Sequence, residues 1–360
     1  MQEVKWGEFK IGDLFDSSNG DFDIQKIHIN DKGTYVVTAG LLNNGILGKT
    51  DIEAQIFSSK TFTIDMFGNT FYRQFDYKMV THARVFSLKP KFIISDKIGL
   101  FISSAFNRFS KMFGFDNMCT WHKIKSEYIK LPIKNNEIDF EFIDSFVAEL
   151  EAQRVAELEA YLQVTGLKDY ELTEEEENAL NNLTNKKIVW GKISYKDVFN
   201  NIQQGRRLKK DDQLIGNIPF VMAGITNTGV VGYISNPVAS FPKNSITIDI
   251  FGNTFYRNYP FGAGDDTGVY WSSNTQYTEN QMLFFSTSMN KSIKGLFSYG
   301  NKLRSSQSLN LKMNIPILNN NIDFDYMDTL ISAIKKLVIK DVVKYADNKI
   351  SATRKVINKE

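Results

Sequence analysis

The chain contains one decapeptide twice. IDMFGNTFYR occupies residues 64–73 and IDIFGNTFYR occupies residues 248–257, so nine of the ten residues are identical and the two copies lie 184 positions apart. Solenoid proteins repeat every 20 to 50 residues or so, and a longer period indicates a duplicated domain. The decapeptide therefore predicts two similar units in tandem.

The same offset of 184 positions holds along most of the chain. The repeated positions are Trp6-Gly7 with Trp190-Gly191, Gly40, Gly45 and Gly48 with Gly224, Gly229 and Gly232, Pro132 with Pro316, and 138–140 with 322–324. Each copy is near the usual size of a domain. We predict a first domain over 1–136, a helical region over 137–184, a second domain over 185–320 and a C-terminal helix over 321–360.

Each copy changes its pattern once. The longer first part is rich in Gly, Asn, Asp and Pro and carries short aromatic and β-branched runs such as TYVVTAG and NSITIDIFG, which are typical of strands and turns. The shorter second part has apolar residues at helical spacing, and the first helix is expected to stop at Gly166. The predicted fold is therefore a tandem of α/β (α+β) domains, each followed by a long helix.

The two predicted helices carry apolar stripes. In the first helix the stripe includes Ile143, Val147, Leu150, Leu158 and Tyr161, and in the second it includes Ile331, Ile334, Val338, Val342 and Tyr345. Two such helices bury their stripes well against each other, which predicts an antiparallel two-helix coiled coil about a pseudo-twofold axis. The alternative is that each helix packs on its own domain.

Charge is distributed unevenly. The whole chain carries only +2, but residues 137–177 hold 14 acidic and 2 basic side chains, a net of −12. Residues 321–360 carry +2, so the two domains together carry +12. Basic surfaces attract phosphate, which favours a nucleic-acid partner.

Motifs of catalysis are missing from the sequence. It has no Walker-type phosphate loop, no dinucleotide-binding glycine pattern, no amino-methyltransferase tetrapeptide and no nuclease pattern. His28, His82 and His122 have no partner at metal-ligand spacing, and GAGD at 262–265 is typical of a turn. Asp65 and Asp249 lie alone before a Phe-Gly turn, so we interpret them as turn caps. We expect a non-catalytic chain without a metal site.

The sequence also lacks targeting segments and has a single cysteine. The sequence shows neither a signal peptide nor an apolar run near the roughly 20 residues that a membrane span needs, which predicts a cytoplasmic protein without a membrane partner. The single cysteine, Cys119, is expected to be a small buried apolar residue.

Three longer segments of the second copy resemble a known family. They are IQQGRRLKKDDQLIGNIPFVMAGITNTGVVGYIS at 202–235, SITIDIFGNTFYRNYPF at 245–261 and YGNKLRSSQSLNLKMNIPI at 299–317. They resemble the specificity (S) subunits of type I restriction–modification systems, and the likeness covers essentially the whole chain. The first copy departs from the pattern at 17–33, where the basic GRRLKK run is missing, and at 111–123.

The resemblance implies a DNA-recognition subunit with two target recognition domains, whose helical regions pair antiparallel and hold the domains apart. Its partners would be double-stranded DNA, two methyltransferase (M) subunits and restriction/translocase (R) subunits. S-adenosylmethionine, ATP and Mg would bind those partner subunits and not this chain. A variant of this reading is the S subunit of a combined cleavage and methylation system of type IIB kind. The other alternative is an enzyme with an unrecognised active site.

The near-identity of the two decapeptides argues against a role in base recognition, because a bipartite site is read by surfaces that differ. We assign Gly68-Asn69 and Gly252-Asn253 to tight turns, with Arg73 and Arg257 either on phosphate or in a structural ion pair. The divergent segments at 111–123 and 295–307 are better candidates for base contacts. The full set of candidate DNA contacts is Lys26, Lys32, Arg73, Lys111, Asn117, His122, Arg206, Arg207, Lys209, Lys210, Arg257, Lys302, Arg304 and Gln307.

Overall fold

The computed structural model describes residues 4–357, so the predicted outer boundaries at residues 1 and 360 lie outside the described residues. The chain divides into two compact units. The first unit is Met1–Leu158 with Ala352–Glu360, and the second unit is Glu159–Ser351. Each unit contains one copy of the decapeptide.

The first unit is built from three small sheets. Its described strands are β1 (Trp6–Lys10), β2 (Phe15–Asn19), β3 (Thr34–Val37), β4 (Ile46–Thr50), β5 (Thr61–Ile64), β6 (Thr70–Arg73), β7 (Tyr77–Met79), β8 (Phe86–Pro90), β9 (Tyr128–Lys134) and β10 (Glu137–Ile138). Its helices are α1 (Ile11–Leu14), α2 (Asp96–Ala105), α3 (Trp121–Ile124) and most of α4 (Phe140–Val164). The strand orders are β1-β9-β10, β2-β8-β5-β6 and β4-β3-β7. The pair β3 and β7 is parallel, and the other described strand pairs of this unit are antiparallel.

The second unit repeats this plan. Its described strands are β11 (Trp190–Ser194), β12 (Asn201–Gln204), β13 (Ile215–Val221), β14 (Val230–Ile234), β15 (Ser240–Phe241), β16 (Ser245–Asp249), β17 (Thr254–Arg257), β18 (Phe261–Ala263), β19 (Thr267–Trp271), β20 (Lys312–Leu318) and β21 (Asn321–Ile322). Its helices are α5 (Glu174–Thr184), α6 (Tyr195–Val198), α7 (Glu279–Ile293), α8 (Ser305–Ser308) and most of α9 (Phe324–Ile357). The strand orders are β11-β20-β21, β12-β19-β16-β17 and β14-β13-β18-β15.

The two units share their topology and their register. Trp6 pairs with Pro132 in the first unit, and Trp190 pairs with Pro316 in the second. The added strand β15 has only an isolated bridge, between Phe57 and Tyr77, as its counterpart. The predicted duplication of a mixed helix and sheet domain is therefore confirmed.

Each unit has its own apolar core. In the first unit Phe15, Phe62 and Ile102 are fully buried, and in the second Phe199 and Phe285 are nearly so. Alternating strand residues face these cores, while α2 and α7 cover them. Cys119 lies in the first core as predicted, and burial raises the pKa of its thiol to about 12.

The first long helix ends close to the predicted residue. Helix α4 has 25 residues and α9 has 34, which corresponds to about 38 Å and 51 Å at 1.5 Å per residue. Gly166 follows α4 with a φ of +70°, and its amide donates to the Gln163 carbonyl at 3.2 Å. The prediction of a glycine stop is confirmed.

The predicted helix stripes are only partly correct. Ile143 is fully buried, but in the core of the first unit, and Ile331 packs against the core of the second. The alternative reading therefore holds at the start of each helix. Val147 is buried and Leu158 partly so.

Six other predicted interface residues are exposed instead. They are Leu150, Tyr161, Ile334, Val338, Val342 and Tyr345, with Tyr161 at 58% and Val338 at 74% exposure. Besides Ile143 and Val147, the buried apolar residues of the two helices, among the described side chains, are Val155, Leu162, Met327, Leu330, Ala333, Val343 and Ala346. Several of them directly adjoin a predicted residue in sequence, so the predicted stripe was displaced by one position there.

Within the second unit, the segment after α4 packs along α9. Lys336 forms ion pairs with Asp169 at 2.8 Å and with Glu176 at 3.0 Å. The Ser332 hydroxyl donates to Glu176 at 2.6 Å, and the Tyr326 hydroxyl donates to the Ala179 carbonyl at 3.1 Å. These contacts join α5 to the first half of α9.

Candidate nucleic-acid interface

The repeated decapeptide forms a turn around a buried aspartate. In the second unit the Asp249 carboxylate accepts hydrogen bonds from the amides of Phe251 at 2.8 Å and Asn253 at 2.9 Å, and from the Asn253 side chain at 2.7 Å. It accepts a fourth from the Gly224 amide at 3.0 Å. Gly252 has a φ of +90° in this turn. The aspartate thus shapes its own turn and also fixes a second loop 25 residues away.

The first unit has the same arrangement. Asp65 accepts from the Phe67 and Asn69 amides and from the Asn69 side chain, all at 2.9 Å, and from the Gly40 amide at 2.8 Å. Gly68 has a φ of +78°. The interpretation of the aspartates as turn caps, and of Gly68, Asn69, Gly252 and Asn253 as turn scaffold, is confirmed.

The two decapeptide arginines are interior residues, and the prediction that they contact DNA is wrong. Arg73 is 2% and Arg257 1% exposed, and their Nε atoms donate to the Thr63 and Thr247 hydroxyls. No carboxylate within the described residues pairs with either, so the alternative of a structural ion pair fails as well. Each guanidinium group lies over the ring of the phenylalanine two positions earlier, at 5.0 Å from the Phe71 ring centre for Arg73 and 5.3 Å from that of Phe255 for Arg257.

The surroundings of the two arginines differ. Arg257 also donates through Nη1 to the Thr228 hydroxyl at 3.0 Å and the Tyr259 hydroxyl at 3.1 Å, and through Nη2 to the Thr228 carbonyl. Asn44 and Phe75 occupy the corresponding positions near Arg73, whose buried Nη2 has no hydrogen-bond partner within residues 4–357. Burial lowers the pKa of both arginines, that of Arg73 to about 10.

In the second unit the structure brings two candidate DNA-binding segments together at one turn, Gly264–Asp266. The Arg206 amide donates to the Ala263 carbonyl at 2.9 Å, and the Arg304 guanidinium donates to the Asp265 carbonyl at 2.6 Å. Gln204 links the same segments, since its side chain donates to the Asp265 carbonyl and accepts from the Ser305 amide. The basic run and the divergent segment 295–307 therefore share one surface, although about 100 residues separate them.

This surface is an open basic groove. We define it by the exposed cations Arg206, Arg207, Lys209, Lys210 and Arg304 around Asp265. One cavity of about 860 Å³ runs from Gln203 and Arg206 to Ser306, and a second of about 610 Å³ is lined by the Lys209 and Lys210 side. Arg207 and Asp265 line both cavities. A groove whose two cavities are lined by four cations and one carboxylate suits a polyanion.

The other two candidates of the second unit lie beside this groove in sequence. Lys302 is exposed, and its ammonium lies 4.5 Å from the centre of the Tyr299 ring. Gln307 is exposed too, but its side chain accepts from the Arg304 amide at 3.1 Å and so caps the short helix α8. To contact a base, Gln307 must either release the hydrogen bond from the Arg304 amide or donate to the base through its side-chain nitrogen.

The first-unit candidates are exposed but not assembled. Asn117 accepts from the Lys123 ammonium at 2.7 Å, and His122 lies on α3 of the same segment with Lys111 before it. Within the described residues, no hydrogen bond or ion pair joins Lys26 or Lys32 to this segment. The first unit has no counterpart of the basic run GRRLKK. The contacts that define the basic groove of the second unit therefore have no equivalent among the described residues of the first.

The structure supplies residues that the sequence interpretation missed. Gln204 and Asp265 organise the groove, yet Asp265 was assigned only to a turn, which is what its backbone forms. The available signal was a polar side chain directly before the basic run, at Gln204. No helix of the described residues is long and apolar enough to cross a membrane, and no group of three or more potential ligands in that range is placed to hold a metal ion.

Comparison with known proteins places this geometry in a family. The profile of the type I restriction modification DNA specificity domain matches residues 3–160 and again residues 188–345. The chain belongs to this family. The two specificity domains correspond to the two copies of the sheet assembly, each with most of the long helix that follows it.

Two relatives illustrate the family. The chain is 25% identical over 352 residues to the specificity subunit S.BcgI of a type II restriction enzyme from Heyndrickxia coagulans, covering 96% of this chain and 99% of that one. It is also similar to the crystal structure of a type I restriction–modification S subunit from M. genitalium, with a TM-score of 0.58, 16% identity and coverage of 100% and 96% of the two chains. The latter likeness shows the shared fold.

Proposed function

We propose that this chain is the DNA-recognition subunit of a restriction–modification complex and that it performs no catalysis itself. The observation that carries the proposal is the basic groove, in which a cationic run and a divergent segment meet at one turn in a specificity domain. Cations that line a groove bind phosphates, and we propose that the divergent segment beside them reads bases.

The groove predicts a measurable salt dependence. Replacing Arg206, Arg207, Lys209 and Lys210 together with Ser should weaken binding of the full chain to every duplex. Each phosphate contact that the substitutions remove flattens the slope of log affinity against log salt by about 0.9, so the slope should fall by up to roughly 3.6. Fluorescence anisotropy with labelled duplexes at several salt concentrations measures it.

A matched control uses four other exposed lysines of the same unit, namely Lys192, Lys196, Lys291 and Lys294. Their replacement changes the net charge equally, so a small and similar change of slope in both variants would show only general attraction. The groove is not the DNA site if the first variant keeps the slope of the unmodified chain.

We further propose that the target is bipartite and asymmetric. The two units share strand order and turn geometry, but segments 111–123 and 295–307 differ in sequence, so each domain should read a different half-site of about 3–5 base pairs. Grafting residues 1–136 from a related subunit of other specificity should change one half-site in the host methylome. A change in both half-sites together would contradict independent reading.

The proposed partners follow from this role. Two methyltransferase subunits, with S-adenosylmethionine, would modify the site, and restriction/translocase subunits with ATP and Mg would cut distant DNA. Purified alone, the chain should show no methylation with S-adenosylmethionine, and activity without partners would overturn the non-catalytic role.

A second candidate is supported by one comparison. The relative S.BcgI is a specificity subunit of a type II restriction enzyme, and its likeness covers nearly both chains. This chain would then serve a type IIB-like system, in which cleavage and methylation reside in one complex. Cleavage at a fixed distance from the site without ATP would support this candidate, and ATP-dependent cleavage at variable distance would support the type I system.

A further inference from the structure

A six-residue loop connects two antiparallel strands in each unit, β3 with β4 and β13 with β14, and it has an unusual backbone. Residues 224–229 are Gly-Ile-Thr-Asn-Thr-Gly, and residues 40–45 are Gly-Leu-Leu-Asn-Asn-Gly. Four of the six residues have positive φ in each loop, including Asn227 at 46° and Thr228 at 51°. A β-branched threonine in this region is strained, because its side chain clashes with its own backbone.

The interior of each domain holds these loops in place. The Gly224 amide donates to Asp249, and the Arg257 guanidinium donates to both the hydroxyl and the carbonyl of Thr228. In the first unit the Gly40 amide donates to Asp65 in the same way. The repeated aspartate therefore fixes this loop in both domains, and in the second domain Arg257 also holds Thr228 in a strained conformation. A loop shape that is held from the interior in both copies indicates a function at the loop tip.

The tips present apolar side chains to solvent. Leu42 is 92% exposed, and Leu41 and Ile225 are about 70% exposed. None of these residues belongs to an apolar core of its unit. The backbone frame is the same in the two loops, while the tips differ, Leu-Leu in one and Ile-Thr in the other.

In the second unit the loop is attached to the basic groove. Met222 and Val231, which flank the loop, line the same cavity as Arg207, Lys209 and Lys210. The Ala223 amide donates to Asp266 in the turn that organises the groove. A DNA duplex that lies on the cations of the groove would therefore pass beside Ile225.

We propose that the tips of these loops, Leu41 and Leu42 in the first domain and Ile225 in the second, are apolar DNA contacts that touch the bases of each half-site. Apolar side chains contact the thymine methyl group in the major groove or insert at a base step. Such contacts add affinity for the correct sequence without releasing counterions. This inference rests on the proposed DNA-recognition function.

The test compares three single variants of the full chain, Leu42→Ser, Ile225→Ser and Ile93→Ser. Ile93 is the matched control, because it is an aliphatic residue with 96% exposure on a different loop of the first unit. The probes are a labelled duplex with the motif found in the host methylome and a duplex with that motif scrambled. Thermal melting confirms that the variants remain folded.

We expect Leu42→Ser and Ile225→Ser to bind the motif duplex roughly tenfold more weakly or worse, with an unchanged slope of log affinity against log salt. Binding to the scrambled duplex and all binding by Ile93→Ser should match the unmodified chain. Equal binding of all three variants to the motif duplex overturns the proposed tip contact, as does a change of salt slope.

The outcome separates this inference from the function on which it rests. If the groove variant loses its salt slope while the tip variants bind normally, DNA recognition stands and the apolar contact fails. If the tip variants bind DNA normally but no longer assemble with the methyltransferase subunits, the proposed DNA contact is wrong and the tips contact a protein partner instead.

Discussion

The two buried arginines have different hydrogen-bond partners. Exchanging Tyr and Phe at the equivalent positions 259 and 75 should therefore change the stability of the two units in opposite directions. Tyr259→Phe removes a hydroxyl that accepts from the Arg257 guanidinium at 3.1 Å, and Phe75→Tyr introduces the hydroxyl that Arg73 lacks. Phe75 and Arg73 line one cavity of about 270 Å³, so the added oxygen has space.

The magnitudes follow from hydrogen bonding to a charged group. Such a bond contributes about 1.5–3 kcal/mol, but Arg257 keeps Thr228 as a partner, so Tyr259→Phe should destabilise its unit by about 1–2 kcal/mol. Phe75→Tyr relieves a buried donor that is unsatisfied within the described residues, and it should stabilise the first unit by about 1 kcal/mol. The lowered pKa of Arg73, about 10, still leaves it charged at neutral pH.

Hydrogen exchange read by mass spectrometry resolves the two units separately. Since about 1.4 kcal/mol corresponds to tenfold, amides of β16 and β17 should exchange roughly 5- to 30-fold faster in Tyr259→Phe, and amides of β5 and β6 about 5-fold slower in Phe75→Tyr. Tyr233→Phe is the control, because Tyr233 is exposed. Faster exchange in Phe75→Tyr, or no change in Tyr259→Phe, would refute this account of the arginines.

Two further predictions concern the turn glycines and the acidic segment. Gly68→Ala should destabilise its unit by clearly more than the roughly 1 kcal/mol expected for Gly252→Ala. Both glycines have positive φ. However, a Cβ at Gly68 would lie 2.6 Å from backbone atoms, whereas a Cβ at Gly252 would meet only a side chain at 3.5 Å. Urea unfolding monitored by hydrogen exchange in each unit measures the difference, and equal effects would contradict it. For Glu176, burial raises the pKa, but hydrogen bonds from Ser332 and Thr173 and the Lys336 ion pair outweigh it and leave the pKa below its ordinary value. Its contribution to stability is therefore present above the unfolded pKa and lost as pH falls through the folded pKa. Glu176→Gln should loosen α5 at about pH 7 and progressively less as the pH is lowered through the folded pKa, whereas loosening that does not change with pH would exclude an ionic contribution.

The local features of the fold were predictable because they depend on neighbouring residues. The turn at Gly68 and the stop at Gly166 follow from glycine's access to positive φ, and Asp65 caps residues two and four positions away. The duplication itself is visible in the sequence as one repeated offset.

The burial of Arg257 was not predictable in this way. Arginine is seldom fully buried, and one of the partners that make burial possible, Thr228, lies 29 residues away in a loop whose position beside Arg257 no local pattern reveals. The groove has the same origin, because Asp265 joins Arg304 to the basic run only after the sheets form. The helix stripes failed for a related reason, since buried residues such as Leu162 and Val343 directly adjoin predicted ones, and spacing alone does not tell which of two adjacent apolar residues faces inward.

Within each repeat, buried residues shape the loop and exposed residues form its tip. This separation explains why the decapeptide is almost identical in the two copies. Asp249 and Arg257 face inward and act on the loop 224–229 through its backbone and through Thr228, so they constrain its shape but not the identity of Ile225. A substitution of the aspartate would leave four donors without their acceptor and release both the turn and the loop. A substitution at the exposed tip removes no hydrogen bond from the interior. The same frame can therefore carry different tips in its two copies, which is what the proposed recognition of two unlike half-sites requires.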